Sequence, residues 1–458
     1  FKELGEENPF LDLMKQSRPW QDWGAKTSHT QPFDMDDNGW IRSLKKGQTA
    51  GTVFLVSAKN EPATYQRYVV LYEGEGTLNY RWAARKIPEE SKPGRDIISV
   101  GPDNNLIEIT KTNPNNYLRN IKIIPEQHLE HYLKGNIFNP DWVKRIKNFN
   151  TLRFMDWMAT NNSEQIQWQD RPLTNDRSWA IKGVPLEIMI RLSNLTQSHP
   201  WFNIPHLADQ HYINRFAATI KTLLNPNLNV YIEHSNEVWN WQFKQAQYAN
   251  TTGSEKWKNT GTAYMQWHGM RTAQICDSFK LQTFKKTPKR IKCVLGVQTG
   301  WHGLEKDALE CPKWIKENNA PCYLHGFDYI GITSYFDGML NGPIKNNSLE
   351  YKKILQNWAN SGELGLNKAF EQLTTGKPLS HIAQLKDYQG VNDHLAKNMA
   401  YWQGVSKKYN LGLVAYEGGQ HITSNGHVLQ DDPAITQFHH AINDDPKMQI
   451  IYQQHLTH

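Results

Sequence analysis

The clearest pattern of hydrophobic and polar positions is an alternation of short apolar runs with amphipathic segments after residue 140. The apolar runs predict strands, and the amphipathic segments at 206–224, 261–283 and 391–409 predict helices. Repeated strand–helix units favour a parallel sheet. With an added first strand near the start of the chain, the predicted strands of this sheet are 10–14, 151–157, 186–192, 229–234, 291–298, 327–333 and 411–416.

Residues 31–125 have a different texture, with short strand-like runs separated by Gly, Pro and Asn turns and no helical period between them. Such spacing is typical of an antiparallel β-sandwich. The predicted strands of this module are 51–58, 65–72, 77–83, 96–100, 106–110 and 118–124.

Together the two patterns predict an α/β protein, a (β/α)8 TIM-type barrel with an N-terminal or inserted antiparallel β-sandwich module. We assign residues 1–30 to the first barrel strand and its loop, 31–125 to the sandwich and 126–458 to the barrel. Seven barrel strands can be counted, and segment 379–385 is the candidate for the eighth. An open doubly wound sheet is the alternative.

Two of the predicted strands end in a glutamate. Residues 228–241, Leu-Asn-Val-Tyr-Ile-Glu-His-Ser-Asn-Glu-Val-Trp-Asn-Trp, carry Glu237, and residues 411–421, Leu-Gly-Leu-Val-Ala-Tyr-Glu-Gly-Gly-Gln-His, carry Glu417. Because the carboxyl ends of barrel strands share one face, we expect these two carboxylates to meet across one pocket. The apolar neighbours of Glu237 would keep it protonated near neutrality. Glu233 is a competing candidate for the acid.

A carboxylate pair of this kind is what the hydrolysis of a glycosidic bond requires. One carboxyl group protonates the leaving oxygen, and the other attacks the anomeric carbon or activates water. For a double displacement the two groups are expected about 5 Å apart.

Asn236-Glu237 after the fourth predicted strand and Glu417 after the seventh resemble the clan A glycoside hydrolases, which are (β/α)8-barrel enzymes that hydrolyse with retention. The resemblance implies that Glu237 is the acid/base and Glu417 the nucleophile. It implies that Asn236 hydrogen-bonds the 2-hydroxyl of the sugar. It also implies that Tyr335 hydrogen-bonds the nucleophile and that Arg153 keeps the nucleophile ionised.

The resemblance covers about residues 141–421, and it accounts neither for the early sandwich nor for the long region 349–409.

The composition adds a second indication of a carbohydrate ligand, because the chain has 17 Trp against 16 Phe. Flat amphipathic rings stack on the C–H faces of sugars while their polar edges stay hydrated. The rings placed at or after predicted strand ends are Trp157, Trp168, Trp179, Trp201, Trp239, Trp241 and Trp301. The histidines expected to contact sugar hydroxyls from the rim are His199, His302 and His421.

Charge and cysteine content narrow the class further. The net charge of +6 is mild for 458 residues, and the basic run 285–292 is too isolated to indicate nucleic acid. No apolar run reaches the roughly 18 residues of a membrane span. No metal-ligand spacing is present, so we expect no metal and no cofactor. Cys311 and Cys322 could close a surface loop in an oxidising compartment.

The sequence therefore predicts a retaining glycoside hydrolase that cleaves β-glycosidic bonds of a polysaccharide or oligosaccharide. The chain starts at Phe1 without a signal peptide, which we interpret as processing or trimming, and we expect a secreted or periplasmic protein. The basic charge and the tryptophans favour an anionic glycan, such as the sulfated galactans carrageenan and agar. Neutral β-glucan, β-mannan and galactan stay open, as does the oligomeric state. A non-catalytic carbohydrate-binding barrel is the alternative, against which the presence of both glutamates argues.

Overall fold

The computed structural model describes residues 8–24, 32–57, 66–258, 261–340, 348–424, 429–430 and 432–457. The chain divides into two compact units. The first consists of Phe1–Asn236, Phe243–Gln245 and Ile275–Lys292. The second consists of Glu237–Gln242, Ala246–Gln274 and Cys293–His458. The division therefore falls between Asn236 and Glu237.

Antiparallel strands occupy the early part of the first unit. They form two four-stranded sheets, with strand orders β1-β4-β9-β6 and β10-β5-β8-β7, and a separate β2-β3 pair. Side chains from both four-stranded sheets, such as Phe54 and Ile107 from one and Val70 and Ile98 from the other, share one buried cluster. The predicted antiparallel strands are therefore confirmed. The strands are β1 (Gln21–Asp22), β2 (Asp34–Met35), β3 (Ile41–Ser43), β4 (Ala50–Ser57), β5 (Gln66–Glu73), β6 (Gly76–Trp82), β7 (Arg85–Lys86), β8 (Arg95–Val100), β9 (Asp103–Thr112) and β10 (Arg119–Pro125).

Three parallel strands follow in the first unit: β11 (Thr151–Arg153), β12 (His199–Ile204) and β13 (Val230–His234). Arg153 is paired with Trp201 and Trp201 with Tyr231, so the three strands run side by side in register. The helices of this unit are α1 (Leu129–Leu133), α2 (Pro140–Ile146), α3 (Leu186–Thr196) and α4 (Gln210–Leu223).

Two predicted barrel strands of the first unit are wrong. Segment 186–192 lies in α3, because an apolar run of this length fits a buried helix as well as a strand. The strand of this region is β12 instead. Segment 10–14 contains one isolated antiparallel bridge, from Phe10 to Phe138, and then enters a 3₁₀ turn capped by the Asp12 side chain.

The second unit also carries three parallel strands, paired in chain order. They are β14 (Ile291–Gly296), of which the second unit includes the part from Cys293 onward, β15 (Tyr329–Phe336) and β16 (Gly412–Gln420). Segment 379–385 contains 3₁₀ turns rather than the predicted eighth strand. The parallel strands in the described residues thus number three in each unit, and the fold is mixed α/β. An eight-stranded barrel is not shown. The helices are α5 (Lys244–Trp257), α6 (Ala263–Asp277), α7 (Glu305–Glu310), α8 (Pro312–Ile315), α9 (Ser348–Ala359), α10 (Glu363–Thr375), α11 (Val391–Tyr409), α12 (Pro433–Asp444) and α13 (Lys447–Thr457).

The helices of the second unit enclose an apolar core of their own. Side chains of α9, α10, α12 and α13, among them Leu355, Leu373, Ile435 and Ile451, pack against Phe336 at the end of β15. The long region that follows β15 is therefore a folded helical layer over the strand ends. Within the part of the chain described, no helix has both the length and the apolar character needed to cross a bilayer.

Candidate active site

Four polar side chains of the second unit, Glu237, Tyr335, Tyr416 and Glu417, form what we call the glutamate cluster. The Tyr335 hydroxyl donates a hydrogen bond of 2.8 Å to Glu417 Oε2. The Tyr416 hydroxyl lies 3.4 Å from Glu237 Oε1 and also 3.4 Å from the Val297 carbonyl oxygen, so its one proton is shared between these two acceptors. Asn240 Nδ2 donates a hydrogen bond of 2.9 Å to Glu237 Oε2. The residue next to Glu417 thus contacts Glu237, although the two glutamates lie far apart in the chain.

A β-bulge in β16 explains how two consecutive residues reach this cluster. The register passes from Ile332 paired with Ala415 to Thr333 paired with Glu417, which leaves Tyr416 as the extra residue. On a regular strand, neighbouring side chains point to opposite faces, but a bulge re-aims them. The bulge therefore allows both Tyr416 and Glu417 to take part in the cluster.

Gly418 packs closely against Ser334 of β15. A Cβ atom at position 418 would lie 2.1 Å from Ser334 Oγ and 3.2 Å from the Ser334 carbonyl oxygen, so a larger residue would require the Ser334 side chain to move. Gly418 thus lets β16 approach β15 directly after Glu417.

The backbone at Glu237 is strained. Its φ of +42° lies in the left-handed region, which residues with a Cβ atom avoid. Such a conformation costs of order 1–3 kcal/mol and persists only where the surroundings impose it. Strained residues cluster at functional sites. The position of this carboxylate is therefore held at the expense of local stability.

Exposed aromatic rings of the second unit have faces that a sugar could contact. Trp241 is 48% exposed and packs one side on Tyr264, with ring centroids 4.9 Å apart. Trp301 is 53% exposed. Trp239 is half-buried, and its indole N–H has no hydrogen-bond partner among the described residues. That these rings stack on a carbohydrate stays a prediction.

The two predicted histidines of this unit differ in their surroundings. His302 stacks face to face on Tyr401, with ring centroids 3.7 Å apart, so one of its faces is covered. The His421 ring lies 5.2 Å from that of Tyr335, and the His421 amide donates a hydrogen bond to the Phe336 carbonyl. Of the two, His421 is therefore the one that stands next to the glutamate cluster.

In the first unit, Arg153, Trp201, Glu233 and Asn236 form a second group, which we call the arginine cluster. Arg153 makes an ion pair with Glu233 at 3.0 Å and donates a hydrogen bond of 2.8 Å to Asn236 Oδ1. The Trp201 indole N–H donates to the same Glu233 oxygen at 2.9 Å. Burial raises the pKa of Glu233, and the contacts with Arg153 and Trp201 oppose this effect. Glu233 is thus the buried partner of Arg153, which argues against it as the catalytic acid.

Several predicted sugar contacts of the first unit need correction. Trp201 is only 5% exposed, and Trp157 packs among the rings of Phe10, Trp142 and Phe154, so both rings serve packing. His199 begins β12 instead of following a strand, which places it at the opposite strand end from the expected rim. Its pKa is lowered by burial.

Sequence reasoning missed Tyr416, a member of the glutamate cluster, and Asn240, which hydrogen-bonds Glu237. Tyr416 is not among the predicted site residues, and on a regular strand it would lie on the opposite face from Glu417. Asn240 lies in the polar stretch after Glu237, and its position three residues from Glu237 was the available sign that the two side chains are close. The described residues contain no group of three His, Cys, Asp or Glu side chains placed to hold a metal ion.

Comparisons with known proteins do not identify a family for this chain. No protein-family model, no curated protein and no solved structure matches it. Since a fold alone does not determine a function, the function has to be argued from the site.

Proposed function

We propose that the protein is a retaining glycoside hydrolase with Glu237 as the acid/base and Glu417 as the nucleophile. The observation that carries the proposal is the glutamate cluster, where Tyr416 links the neighbourhood of Glu417 to Glu237. A (β/α)8 TIM-type barrel remains the fold proposed for the complete arrangement of strands. Asn236 as the 2-hydroxyl contact and Arg153 as the group that keeps Glu417 ionised remain predictions.

In the first step of the proposed reaction, a Glu417 oxygen attacks the anomeric carbon while Glu237 gives its proton to the departing glycosidic oxygen. The C–O bond breaks, the alcohol leaves, and a glycosyl ester forms on Glu417. In the second step Glu237 takes a proton from water, whose oxygen displaces Glu417 and restores the starting configuration. The hydrogen bond from Tyr335 orients the Glu417 carboxylate for attack.

The proposed substrate is a polysaccharide or oligosaccharide with β-glycosidic bonds. The exposed rings of Trp241 and Trp301 support a carbohydrate ligand, because aromatic faces stack on sugar rings. A sulfated galactan such as carrageenan or agar stays among the candidates. The Cys311–Cys322 disulfide and the disulfide-bonded state of the two remaining cysteines support a secreted or periplasmic location.

The direct test is a screen of plant and marine glycans in which NMR follows the anomer formed first. Retention of configuration is expected, because double displacement inverts the anomeric centre twice. Glu237→Gln and Glu417→Gln should each abolish hydrolysis of an unactivated glycan while leaving its binding intact. Full activity of either variant would contradict the assignment.

Activated substrates distinguish the two roles. A dinitrophenyl glycoside needs no protonation of its leaving group, so Glu237→Gln should still release dinitrophenol in a first turnover. Glu417→Gln should not, because the nucleophile itself is missing. Glu371→Gln, an exposed carboxylate of α10 in the same unit, is the matched control and should behave as the wild type. Binding of a glycan without hydrolysis by the wild type would favour the non-catalytic alternative.

A further inference from the structure

A cavity of about 250 Å³ in the second unit adjoins the glutamate cluster. It lies between the end of β15, His421 directly after β16, and one face of α11, and we call it the α11 cavity. Its polar lining includes Asp337, Tyr388, His394, Asn398 and His421. Tyr335 also lines it and hydrogen-bonds Glu417, so the cavity opens beside the proposed nucleophile.

The α11 face that lines this cavity combines apolar and polar side chains. Val391, His394, Leu395, Asn398 and Met399 all line the cavity, at the spacing of one helix face. Two of the five positions are polar: His394 is exposed at the edge of the cavity, and Asn398 is half-buried. Asn398 Nδ2 and His394 Nε2 lie 3.2 Å apart and form a pair that faces the cavity. This mixture of apolar and polar groups is what a small-ligand site needs.

The charged groups of the lining indicate which class of ligand fits the cavity. Asp337 uses one carboxylate oxygen to accept a hydrogen bond of 2.7 Å from the Met339 amide. Burial raises the pKa of Asp337, while its hydrogen bond with Met339 and the nearby His421 and His394 oppose that effect. Among the described lining residues there is no Lys or Arg. A sulfate or carboxylate would thus meet a carboxyl group without a permanent cation, whereas sugar hydroxyls can donate to Asp337 and accept from His394.

We propose that the α11 cavity is an additional subsite that takes one neutral, unsulfated sugar ring of the glycan cleaved at the glutamate cluster. This inference rests on the proposed function and narrows its substrate. The cavity volume is just below the roughly 300–1,000 Å³ of pockets for drug-sized ligands, which suits a single ring. If the substrate is an anionic glycan, the sugar ring bound in this cavity carries no sulfate or carboxylate group.

The test uses neutral oligosaccharides of graded length, prepared from the glycan that the screen identifies, and an aryl monoglycoside too short to reach the cavity. Asn398→Ala and His394→Ala should each lower kcat/KM for the long oligosaccharides by roughly 3–10-fold, the effect of one lost hydrogen bond. Activity on the aryl monoglycoside should stay within about twofold. Lys397→Ala, on the same helix but not part of the lining, is the control and should change neither.

A second measurement separates this subsite from the proposed function. Titration calorimetry with Glu417→Gln, alone and combined with Asn398→Ala, measures binding of the long oligosaccharide without cleavage. Weaker binding in the double variant supports the subsite. Hydrolysis by the wild type with no effect of either cavity variant overturns the subsite and leaves the hydrolase intact. Absence of hydrolysis on every glycan overturns the proposed function instead. A preference for an oligosaccharide sulfated on the ring in the cavity would refute the neutral-ring assignment.

Discussion

The left-handed backbone at Glu237 predicts that glycine is more stable than alanine at this position. Both substitutions remove the carboxylate and its hydrogen bond from Asn240, so their difference isolates the backbone strain. A Cβ atom at φ +42° costs roughly 1–2 kcal/mol, and the greater freedom of unfolded glycine offsets about 0.5–1 kcal/mol of this. We therefore expect Glu237→Gly to exceed Glu237→Ala in stability by about 0.5–1 kcal/mol.

The expected difference can be measured by thermal unfolding followed by tryptophan fluorescence. For a unit of about 200 residues, the size of the second one, 1 kcal/mol shifts Tm by roughly 2–4 °C. The glycine variant should therefore unfold about 1–4 °C above the alanine variant. Both variants should be inactive on unactivated glycans.

A matched pair at Glu371, inside α10, gives the control. Glycine lowers the stability of an ordinary helix interior by about 1 kcal/mol relative to alanine, so the order of the two variants should be reversed there. If alanine were equal or superior to glycine at position 237 as well, the backbone of Glu237 would not be strained. The argument that this carboxylate is held at a cost in stability would then be refuted.

Three further predictions concern the second unit. Tyr335→Phe removes the 2.8 Å hydrogen bond to Glu417, and kcat/KM should fall about tenfold. This is the lower end of the effect expected for a bond to a charged group, because Tyr335 is 42% exposed. An unchanged kcat/KM would contradict this role of Tyr335. Burial lowers the pKa of His268 to about 4, so the buried neutral ring contributes stability that is present above pH 6.5 and is lost as the pH falls through 4. His268→Gln should reduce the acid-induced fall in Tm, by an amount equivalent to about 3 kcal/mol. Replacing Cys311 and Cys322 by serine together should lower the free energy of unfolding by about 3 kcal/mol, measurable in urea.

The sequence was a reliable guide to the elements whose periodicity is long or regular. The helix predicted at 391–409 has the bounds of α11, and the six predicted antiparallel strands match six strands of the two antiparallel sheets within a few residues. It failed at 186–192, where a short apolar run has no period of its own. Since α3 occupies this segment, the strand of this region is β12, which the prediction lacks, and His199 begins that strand instead of following one.

For the site, the sequence indicated the chemistry of single residues better than it indicated which side chains surround them in the fold. The hydrogen bond expected between Tyr335 and Glu417 is present. The tryptophan count could not separate packing from binding, because an indole ring is suited to both. Trp201 packs and hydrogen-bonds inside the first unit, whereas Trp301 is exposed in the second. That distinction depends on burial, which composition does not record.

Both proposed catalytic carboxylates stand where the backbone departs from a regular pattern. Glu237 has a left-handed conformation directly after the polar end of a strand, and Glu417 follows the extra residue of a bulge. A regular strand would have placed Tyr416 and Glu417 on opposite faces, so only one of the two could have taken part in the cluster. Natural sequences break local rules mainly where function compensates for the cost. The two irregularities, occurring at the two residues that a sequence pattern had already selected for acid–base chemistry, are therefore independent support for a shared site.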